Sequence, residues 1–575
     1  MSSENIFEKL TKKGDKAVHV TSLGGKDALD FFLAHDQYCT TELPEYFDFS
    51  GVLKYAEESI GDKSFDECVN GDCLPESMHG VNLDVITNKD GRYAVRPLTL
   101  ANPFLYYMLA RDICSEQAWK AIKECFKLFD SEYITACAIP MVKIDDKPES
   151  FKGATSILNW WNSMEQRSIE LSLKYSYMFI TDITNCFGQI NPESIAWALA
   201  RKDTPYQTDE NAALAGDIQR YLRAMQEGKN IGIPQGSALF SLIAEVILGY
   251  TDMLLAQEIT KAKEKGTLPK DLEYEILRYV DDYRIFCNDR DALDKISYIL
   301  QHILEQFNFR MNPSKTRTSN ELITDTIKPD KAFYIFNTPI ESKQTYKDED
   351  GHERKERGYD FDGFQKHLLF IYEFSRRFPN SGQLVTQLEA FSKRVEEQLS
   401  TKTFSYEEVS INLETGETTK EKKTKERKGH LWENISAMVA ISVEIAANNL
   451  RAANNALKIA SQLLSDMRPE DQQKKKDIIG LIYKKLYRIP NSAFLQVWLQ
   501  NITHTTDDWS SGEIYNMPLC KVVAEQPVTL WNNDWLNLEI SASFPQNSIV
   551  DRESLAKTGQ LITFKAKRQY DEMEY

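Results

Sequence analysis

The sequence lacks the long apolar runs of membrane proteins and the paired cysteine spacing of zinc-binding domains. No run of eighteen or more apolar residues occurs among its 575 residues, so no membrane span is expected. The N-terminal residues Met1 to Asn5 contain no apolar core of a signal peptide. The nine cysteines include no CxxC pair, and Cys68 and Cys73 have no histidines that would complete a zinc site. These absences predict a cytoplasmic location and reduced thiols.

The chain also lacks the positive charge that is usual for proteins that bind long duplexes. It has 69 Lys and Arg residues and 86 Asp and Glu residues, which gives a net charge of −17. A duplex-binding protein usually has a basic footprint. The local basic stretches at 420–428, 474–476 and 484–485 are more typical of solvated faces. The charge deficit therefore favours short products, a structured RNA or a protein partner.

Two adjacent carboxylates, Asp281 and Asp282, follow Tyr279-Val280 between two apolar runs. This pattern predicts a strand-turn-strand hairpin with the acids at its tip. Successive strand residues point to opposite faces, so one acid can reach forward while its neighbour supports it. Asp pairs are also common in ordinary turns. A catalytic role therefore requires a third carboxylate from elsewhere in the chain.

Asp182 provides a third carboxylate in a matching context. It ends the apolar run that begins at Tyr177, as expected for a buried strand that delivers a ligand at its C-terminal end. Two hard cations about 3.5–4 Å apart, held by such carboxylates, can clamp both oxygens of an in-line phosphoryl displacement. Mg²⁺ suits this task because it takes one or two carboxylates and completes its shell with water and phosphates.

A Gly- and Pro-containing turn, Gly232 to Ser237, precedes the apolar run 238–248. Ser237 is a candidate N-cap for a following helix. A turn of this kind lets the backbone approach a nucleotide closely, and Gln235 can donate and accept hydrogen bonds there. An ordinary loop-to-helix junction would have the same local pattern.

In this order, Asp182, the Pro-Gln-Gly turn and the Tyr-Val-Asp-Asp hairpin resemble motifs A, B and C of reverse transcriptases. The resemblance covers about residues 90 to 320. It implies two Mg²⁺ ions, with Mn²⁺ as a substitute, held by Asp182 and Asp281. The Ile183 carbonyl would complete the shell, and Asp282 would be a supporting carboxylate or outer ligand. The implied substrates are dNTPs and the implied product is DNA.

The resemblance extends to further residues. Phe187, five positions after Asp182, corresponds to the steric gate that excludes a ribose 2′-OH. Gln235 and Gly236 would contact the incoming nucleotide. Lys315 matches the motif D lysine that protonates pyrophosphate, although a surface lysine after a turn would look the same. Arg96 falls where finger residues grip the triphosphate, and a guanidinium suits that contact.

The finer resemblance is to bacterial defence-associated reverse transcriptases of the abortive-infection and "unknown group" lineages. It rests on the segment Leu43 to Phe49, on the Trp160-Trp161 region that leads to Asp182, and on the helical region after the palm. It implies antiphage defence, and it allows a tyrosine-primed, template-independent synthesis. A non-coding RNA, a second reverse transcriptase and a homo-oligomer, trimeric or hexameric, are the implied partners.

The sequence predicts an α+β fold in which right-hand-type fingers and palm precede an α-helical, HEAT-like C-terminal domain. The predicted division is an N-terminal extension at 1–90, largely helical fingers at 91–175, the palm with motifs A to D at 176–330, a charged linker with helices and a hairpin at 331–430, and the helical domain at 431–575. The densely charged residues 341–360 are predicted to be an exposed loop or linker. No fixed-period repeat is visible, so the HEAT-like architecture rests on the resemblance.

Two alternatives to a DNA polymerase remain open. An RNA-dependent RNA polymerase also has a palm, but it usually carries glycine before the paired acids and a small residue at the gate, unlike Val280 and Phe187. A non-catalytic scaffold or sensor is the second alternative. Clustered carboxylates repel one another without a cation, which argues against a scaffold.

Overall fold

The structure is a computed structural model, and it describes most of the chain. The described residues are 17–71, 73–88, 95–136, 138–143, 156–200, 209–337, 342–347, 353–358, 363–411, 418–431, 434–504 and 515–564.

The part of the chain that precedes the central acid-bearing strand is mixed, with helices in the majority. Its elements are β1 (Ala17–His19), α1 (Gly25–Leu33), α2 (His35–Tyr38), α3 (Ser50–Ile60), α4 (Phe65–Cys68), β2 (Leu83–Asn88), β3 (Val95–Leu100), α5 (Pro103–Cys114), α6 (Glu116–Phe129), β4 (Ile134–Ala136), β5 (Met141–Lys143) and α7 (Ser156–Leu171).

The middle of the chain contributes most of the central sheet. Its elements are β6 (Tyr177–Asp182), α8 (Cys186–Gln189), α9 (Glu193–Ala200), α10 (Asp209–Met225), α11 (Ala238–Glu264), β7 (Tyr274–Tyr279), β8 (Asp282–Cys287), α12 (Arg290–Gln306), β9 (Arg317–Ser319), α13 (Leu322–Thr326) and α14 (Pro329–Asn337).

The remaining described elements are two hairpins and a series of helices. They are β10 (Ser342–Lys347), β11 (Glu353–Gly358), α15 (Phe364–Arg377), α16 (Gly382–Leu399), β12 (Thr401–Ile411), β13 (Thr418–Lys428), α17 (Ile435–Asn448), α18 (Ala453–Ser465), α19 (Gln472–Leu486), α20 (Ala493–Thr503), α21 (Pro518–Val523), α22 (Leu538–Ser541) and α23 (Arg552–Thr558).

The central sheet has five strands in the order β4-β7-β8-β6-β9. β4 runs parallel to β7, and the other neighbours are antiparallel. One face of the sheet contacts the main hydrophobic core, to which Ile276, Tyr283 and Ile285 belong. The other face packs a smaller cluster that includes Met178 and Phe286 together with residues of α7. Both faces of the sheet are therefore covered by other parts of the protein.

Helix α11 is the longest described helix and lies inside the protein. By length and composition it is the one described helix that could cross a membrane. Most of it is buried in the core, where it packs against α6 and α12. Two buried acids, Glu245 and Asp252, lie on it and pair with an arginine of the sheet. Its apolar composition is therefore accounted for by burial within the fold.

The prediction of an exposed loop at 341–360 is wrong for the described part of that segment. Here β10 and β11 form an antiparallel hairpin in which Lys347 is the register partner of Glu353. A backbone ladder is made by main-chain hydrogen bonds and requires no apolar side chains. A high density of charged residues therefore does not exclude β-strands. The hairpin predicted from residue 404 onward does form, as β12 and β13.

The helices of the C-terminal part pack against one another. α15 contacts α16 and α17, α17 packs along α18, and α18 also contacts α16 and α20. The fold is thus α+β with a helix-rich C-terminal region, as predicted. The predicted domain boundaries and the HEAT-like repeat stay predictions.

One part of the predicted C-terminal domain packs elsewhere. The segment around Trp531 and Trp535 lies against the N-terminal extension and the β2-β3 hairpin rather than extending the row of helices. The Trp531 indole nitrogen donates to the Leu100 carbonyl oxygen over 3.0 Å, and the Trp535 ring stacks on Phe65. This packing across the chain joins both ends of the sequence into one core, and no local pattern in the sequence indicates it.

Candidate active site

The turn between β7 and β8 presents Asp281 and Asp282 at the edge of the sheet. Val280 opens the turn with a left-handed backbone, at φ 50°. This conformation is unfavourable for a β-branched residue, so other contacts must hold it. One of these contacts comes from the neighbouring strand, because the Ile183 amide donates to the Asp281 carbonyl oxygen over 3.0 Å.

Asp182 and Asp282 are register partners on adjacent antiparallel strands. Side chains of register partners lie on the same face, with Cβ atoms about 5 Å apart. Burial raises the pKa of the Asp282 carboxyl, and the Asp182 charge adds to the rise. Lys328 and Lys315 oppose it. The structure therefore brings two acids that lie a hundred residues apart in sequence to one point, where their charges repel.

The Asp182 carboxylate is buried and only half satisfied. Its side chain is 7% exposed, and Oδ2 accepts a hydrogen bond from the Lys315 Nζ at 2.5 Å. Oδ1 is buried and has no hydrogen-bond partner among the described residues. An unpaired buried carboxylate oxygen is unfavourable. A cation at this oxygen would satisfy it.

Lys315 reaches the carboxylates from a short loop that follows the bridge between Ile183 and Met311. The Asn312 amide donates to the Asp182 carbonyl oxygen over 2.8 Å, which ties this loop to the end of β6. The Lys315 side chain is half exposed. Its ammonium group therefore lies beside the carboxylates while part of its side chain is in contact with solvent.

The carboxylates at this point are suited to Mg²⁺, which needs few protein ligands, rather than to a metal that is held entirely by protein side chains. Among the described residues, no three His, Cys, Asp or Glu side chains are placed to hold an ion by themselves. Mg²⁺ usually binds one or two carboxylates and takes further oxygens from water and phosphates. Asp182 and Asp282 on one face, with Asp281 beside them on the turn, provide such a set. Ile183 is buried directly after Asp182.

Phe187 lies on the short helix α8, which starts just after the acid strand. Asn185 precedes it in a left-handed conformation, at φ 49°, and turns the chain away from β6. The Phe187 carbonyl oxygen accepts a hydrogen bond of 2.9 Å from the Ile233 amide. The Gly232 amide donates to the Ile190 carbonyl oxygen over 2.7 Å. The Gly-Pro turn is therefore bound directly to the segment that carries Phe187.

Gln235 and Gly236 are held between the β2-β3 hairpin and the segment that follows α2. The Thr99 amide donates to the Gln235 carbonyl oxygen over 2.7 Å, and the Thr40 amide to the Gly236 carbonyl oxygen over 2.8 Å. Gly236 has a φ of 135°, and a Cβ there would lie 3.3 Å from the Thr99 carbonyl oxygen. Ser237 caps α11 by accepting from the Phe240 amide, as predicted.

Arg96 lies on β3, half-buried and opposite Thr87 in register. Its hairpin contacts the Gln235 turn through Thr99, three residues further along β3. Within the described residues, no hydrogen bond or ion pair joins Arg96 to the carboxylates. Arg96 is thus on an element that borders the site, whereas Asp182, Asp282 and Lys315 lie together.

The sequence analysis missed a buried charge network behind the turn. Arg278 pairs with Glu245 and Asp252 of α11, and all three side chains are at most 3% exposed. One signal for it was present in the sequence. Glu245 and Asp252 interrupt an apolar helix at a spacing of seven, which puts them on one face. A cation on a neighbouring buried strand is needed to neutralise such a pair.

Comparison with known proteins identifies the central region. Residues 135–361 match the family model described as "Reverse transcriptase (RNA-dependent DNA polymerase)". No curated protein matches the chain.

Solved telomerase structures are among those similar to this chain. A C-terminally truncated apo telomerase from Candida Tropicalis has 11% identity and a TM-score of 0.28, over 48% of this chain and 56% of its own. The Candida albicans telomerase with a telomeric RNA fragment has 12% identity and a TM-score of 0.27, over 77% and 69%. Apo telomerase from Candida Tropicalis has the same identity and TM-score over 84% and 74%.

The family match spans β6, the Gly-Pro turn and the β7-β8 hairpin, the three elements that carry the acids and the turn described above. Residues 135–361 therefore constitute a reverse-transcriptase domain, with Asp182, Asp281 and Asp282 at one edge of its central sheet.

Proposed function

We propose that this protein is a DNA polymerase of the reverse-transcriptase type, which transfers deoxynucleotides and releases pyrophosphate. One observation carries the proposal. Asp182, whose buried Oδ1 has no hydrogen-bond partner among the described residues, is the register partner of Asp282, and its Oδ2 lies 2.5 Å from the Lys315 ammonium. A second carboxylate of like charge at the same point distinguishes this pair from an ordinary ion pair, because two neighbouring carboxylates repel each other unless a cation lies between them.

In this proposal Asp182 and Asp281 would hold two Mg²⁺ ions, with the Ile183 carbonyl oxygen as a further ligand and Asp282 as a supporting carboxylate. Mn²⁺ can replace Mg²⁺. When bound, the ions supply charge stabilisation to the attacking and leaving oxygens. The carboxylates orient the site, and the fixed loop at 312–316 keeps Lys315 beside it.

The primer hydroxyl oxygen forms a bond to the α-phosphorus of the dNTP, and the bond from that phosphorus to the bridging oxygen of the β-phosphate breaks. The hydroxyl proton leaves to water. The pyrophosphate oxygen takes a proton from Lys315, whose position suits a general acid.

Selection of the incoming nucleotide is assigned to Phe187, Gln235, Gly236 and Arg96. The Phe187 ring excludes the ribose 2′-OH, and its carbonyl bond to Ile233 fixes the helix that carries it. Gln235 and Gly236 line the nucleotide from the turn, where Thr99 and Thr40 hold their carbonyl groups. Arg96 binds the triphosphate from the fingers hairpin.

The wider role follows from the family resemblance. We propose cytoplasmic antiphage defence, with a non-coding RNA or a second reverse transcriptase as partner and a trimeric or hexameric assembly. Synthesis is proposed to be protein-primed and independent of a nucleic-acid template. Tyr515 is unsuitable as the primer because it is buried and its hydroxyl is 2.7 Å from that of Thr503. Tyr570 and Tyr575 lie outside the described residues.

Incorporation of labelled nucleotides by the purified protein tests the proposal. The protein should incorporate dNTPs with Mg²⁺, and the double variant Asp281→Ala/Asp282→Ala should be inactive with an unchanged circular dichroism spectrum. Full activity of this variant would refute the site. Sequencing the co-purified nucleic acid before and after protease treatment would identify template, product and any covalent link.

The alternative of an RNA polymerase is tested by the same assay with rNTPs. Wild-type protein should prefer dNTPs, and Phe187→Ala should raise rNTP incorporation while dNTP incorporation is retained. A wild-type preference for rNTPs would favour the alternative. A catalytically silent scaffold would incorporate neither.

A further inference from the structure

We infer that Arg278 is a positioning residue that fixes the Asp281-Asp282 turn for metal binding. The inference rests on the proposed function, because it assigns a purpose to a network behind the same carboxylates. Arg278 does not touch a nucleotide or an ion in this account. It acts through the backbone of the turn.

The guanidinium of Arg278 uses its donors on three different groups. Nη1 and Nη2 donate to the two carboxylate oxygens of Glu245, each over 3.0 Å, and Nε donates to Asp252 Oδ2 over 2.6 Å. Nη1 also donates to the Val280 carbonyl oxygen over 3.1 Å. Tyr283 completes the network by donating to Asp252 Oδ1 over 3.0 Å. The two acids of α11 thus fix the position of Arg278, and Arg278 fixes the backbone between β7 and β8 at Val280.

The hydrogen bond from Arg278 to the Val280 carbonyl oxygen is separate from the ion pairs with Glu245 and Asp252. Val280 is the left-handed residue that redirects the chain from β7 into the two acids. Its carbonyl group belongs to the peptide unit that begins Asp281, so fixing this oxygen fixes the orientation of that unit. A β-branched residue adopts this backbone only when its surroundings impose it.

The turn is held from two sides. Arg278 binds it from the face that packs on α11, while the Ile183 amide binds the Asp281 carbonyl oxygen from β6. Strand β6 also supplies Asp182. A change at Arg278 therefore alters the position of the paired acids relative to Asp182, without removing any carboxylate.

Arg278 stays charged in this buried place. Its burial opposes the charge, but Asp252 and Glu245 outweigh that effect and raise the pKa of Arg278 well above its ordinary value. A lysine would keep the charge but cannot bind Glu245 with a planar fork and reach Asp252 and Val280 as well. Arg278→Lys is consequently an informative substitution.

Loss of Arg278 alone would leave two buried carboxylates unpaired and would destabilise the fold. The decisive variant therefore replaces the network as a unit, Arg278→Met with Glu245→Leu and Asp252→Asn. Replacement of a whole buried ion network by apolar or neutral groups often preserves stability. This variant lacks the bond to Val280 but contains no unpaired buried charge from the network.

The primary readout is Mn²⁺ affinity measured by electron paramagnetic resonance, with Asp281→Ala/Asp282→Ala to identify the relevant ion. We expect the triple variant to unfold cooperatively and to bind this ion about tenfold more weakly. Its kcat should fall about 10- to 100-fold with little change in the KM for dNTP, since small displacements of catalytic groups have effects of this size. Arg278→Lys should show the same effects more weakly.

The matched control is Arg167→Lys, which alters a half-exposed ion pair between α7 and Glu275 of the same strand, β7. It should leave Mn²⁺ affinity and kcat unchanged. Unchanged Mn²⁺ affinity in a cooperatively folded triple variant would overturn the inference. If the triple variant does not fold, unchanged affinity in Arg278→Lys would do so.

The two proposals fail differently in this design. A wild-type protein that binds Mn²⁺ through the paired acids but incorporates no nucleotide refutes the polymerase, and the Mn²⁺ titrations still decide the role of Arg278. A wild-type protein without any Mn²⁺ site sensitive to Asp281→Ala/Asp282→Ala overturns both.

Discussion

The two faces of the central sheet differ in how their charged side chains are paired. On the face toward α11, Arg278, Glu245 and Asp252 are nearly inaccessible to solvent, and hydrogen bonds between opposite charges join them. On the other face, Asp182 and Asp282 are like-charged neighbours, and Asp182 has a buried oxygen without a described partner. The first arrangement is complete as it stands. The second contains two like charges, which a bound cation would neutralise.

The overall negative charge of the protein is compatible with the proposed nucleotide site. A net charge of −17 describes the whole surface, whereas the carboxylates at the site are accompanied by Lys315 and Lys328. These cations lower the pKa of Asp282 against the effect of burial. Local charge at the sheet edge, rather than the overall charge, decides what can bind there.

The largest expected effect is on the incomplete face. Asp182→Asn keeps the shape of the side chain but removes the charge that a cation requires. We expect incorporation of dNTPs to fall by about 10³-fold or more, because several kcal/mol of charge stabilisation are removed. Single-turnover incorporation measures this loss, and thermal unfolding checks the fold. Activity within about tenfold of wild type would show that the two faces do not differ in this way.

On the complete face, the expected effect is on stability. Glu245→Ala leaves the buried Arg278 guanidinium with one carboxylate partner fewer. We expect a loss of about 3–5 kcal/mol in the free energy of unfolding, the range for breaking a buried pair. Denaturant titration measures it. The control is Glu58→Ala, which removes an exposed pair with Lys54 and should change stability by less than about 1 kcal/mol. Equal effects of the two variants would contradict the account.

Lys315 offers a test of intermediate size. Lys315→Met removes the cation beside Asp182 and the proposed proton donor. We expect kcat to fall about 10²-fold, within the usual range for general acid catalysis. Lys261→Met serves as the control, because Lys261 is an exposed lysine paired with Glu258 on α11. Steady-state kinetics separate kcat from KM. A change confined to KM would assign Lys315 to binding alone.

The smallest effect concerns the pH dependence of stability. Burial and Asp182 raise the pKa of Asp282, so the folded protein disfavours the ionised form and loses stability as pH rises through that pKa. Asp282→Asn has no charge to lose. We expect it to be more stable than wild type at pH 7 without divalent ions, by on the order of 1 kcal/mol.

This advantage should disappear below about pH 4, where an unperturbed carboxyl is itself protonated. Adding Mg²⁺ at pH 7 should stabilise wild type more than Asp282→Asn, since only the wild type binds the ion fully. Thermal unfolding at both pH values measures the difference. A variant that is less stable than wild type at pH 7 would show that Asp282 is a satisfied, structural charge.

The sequence contained more information about the acids than about their surroundings. Asp182, Asp281 and the turn at Gln235 stand out because each follows or precedes an apolar run at a recognisable break. The apolar runs predict the strands, and the pairing of β6 with β8 brings Asp182 close to the paired acids. The distant pairs could not be predicted in the same way. The bond from Arg278 to Val280 and the contact of Trp531 with Leu100 depend on how separate elements pack.

The meeting of Asp182 with the paired acids can be tested directly by iron-mediated cleavage. Fe²⁺ in the Mg²⁺ site, with ascorbate and peroxide, cuts the chain next to the bound ion, and mass spectrometry locates the cuts. We predict cuts near both Asp182 and Asp281 that excess Mg²⁺ suppresses and that Asp182→Asn abolishes together. Cuts near only one of these segments, or none that Mg²⁺ suppresses, would contradict a shared metal site.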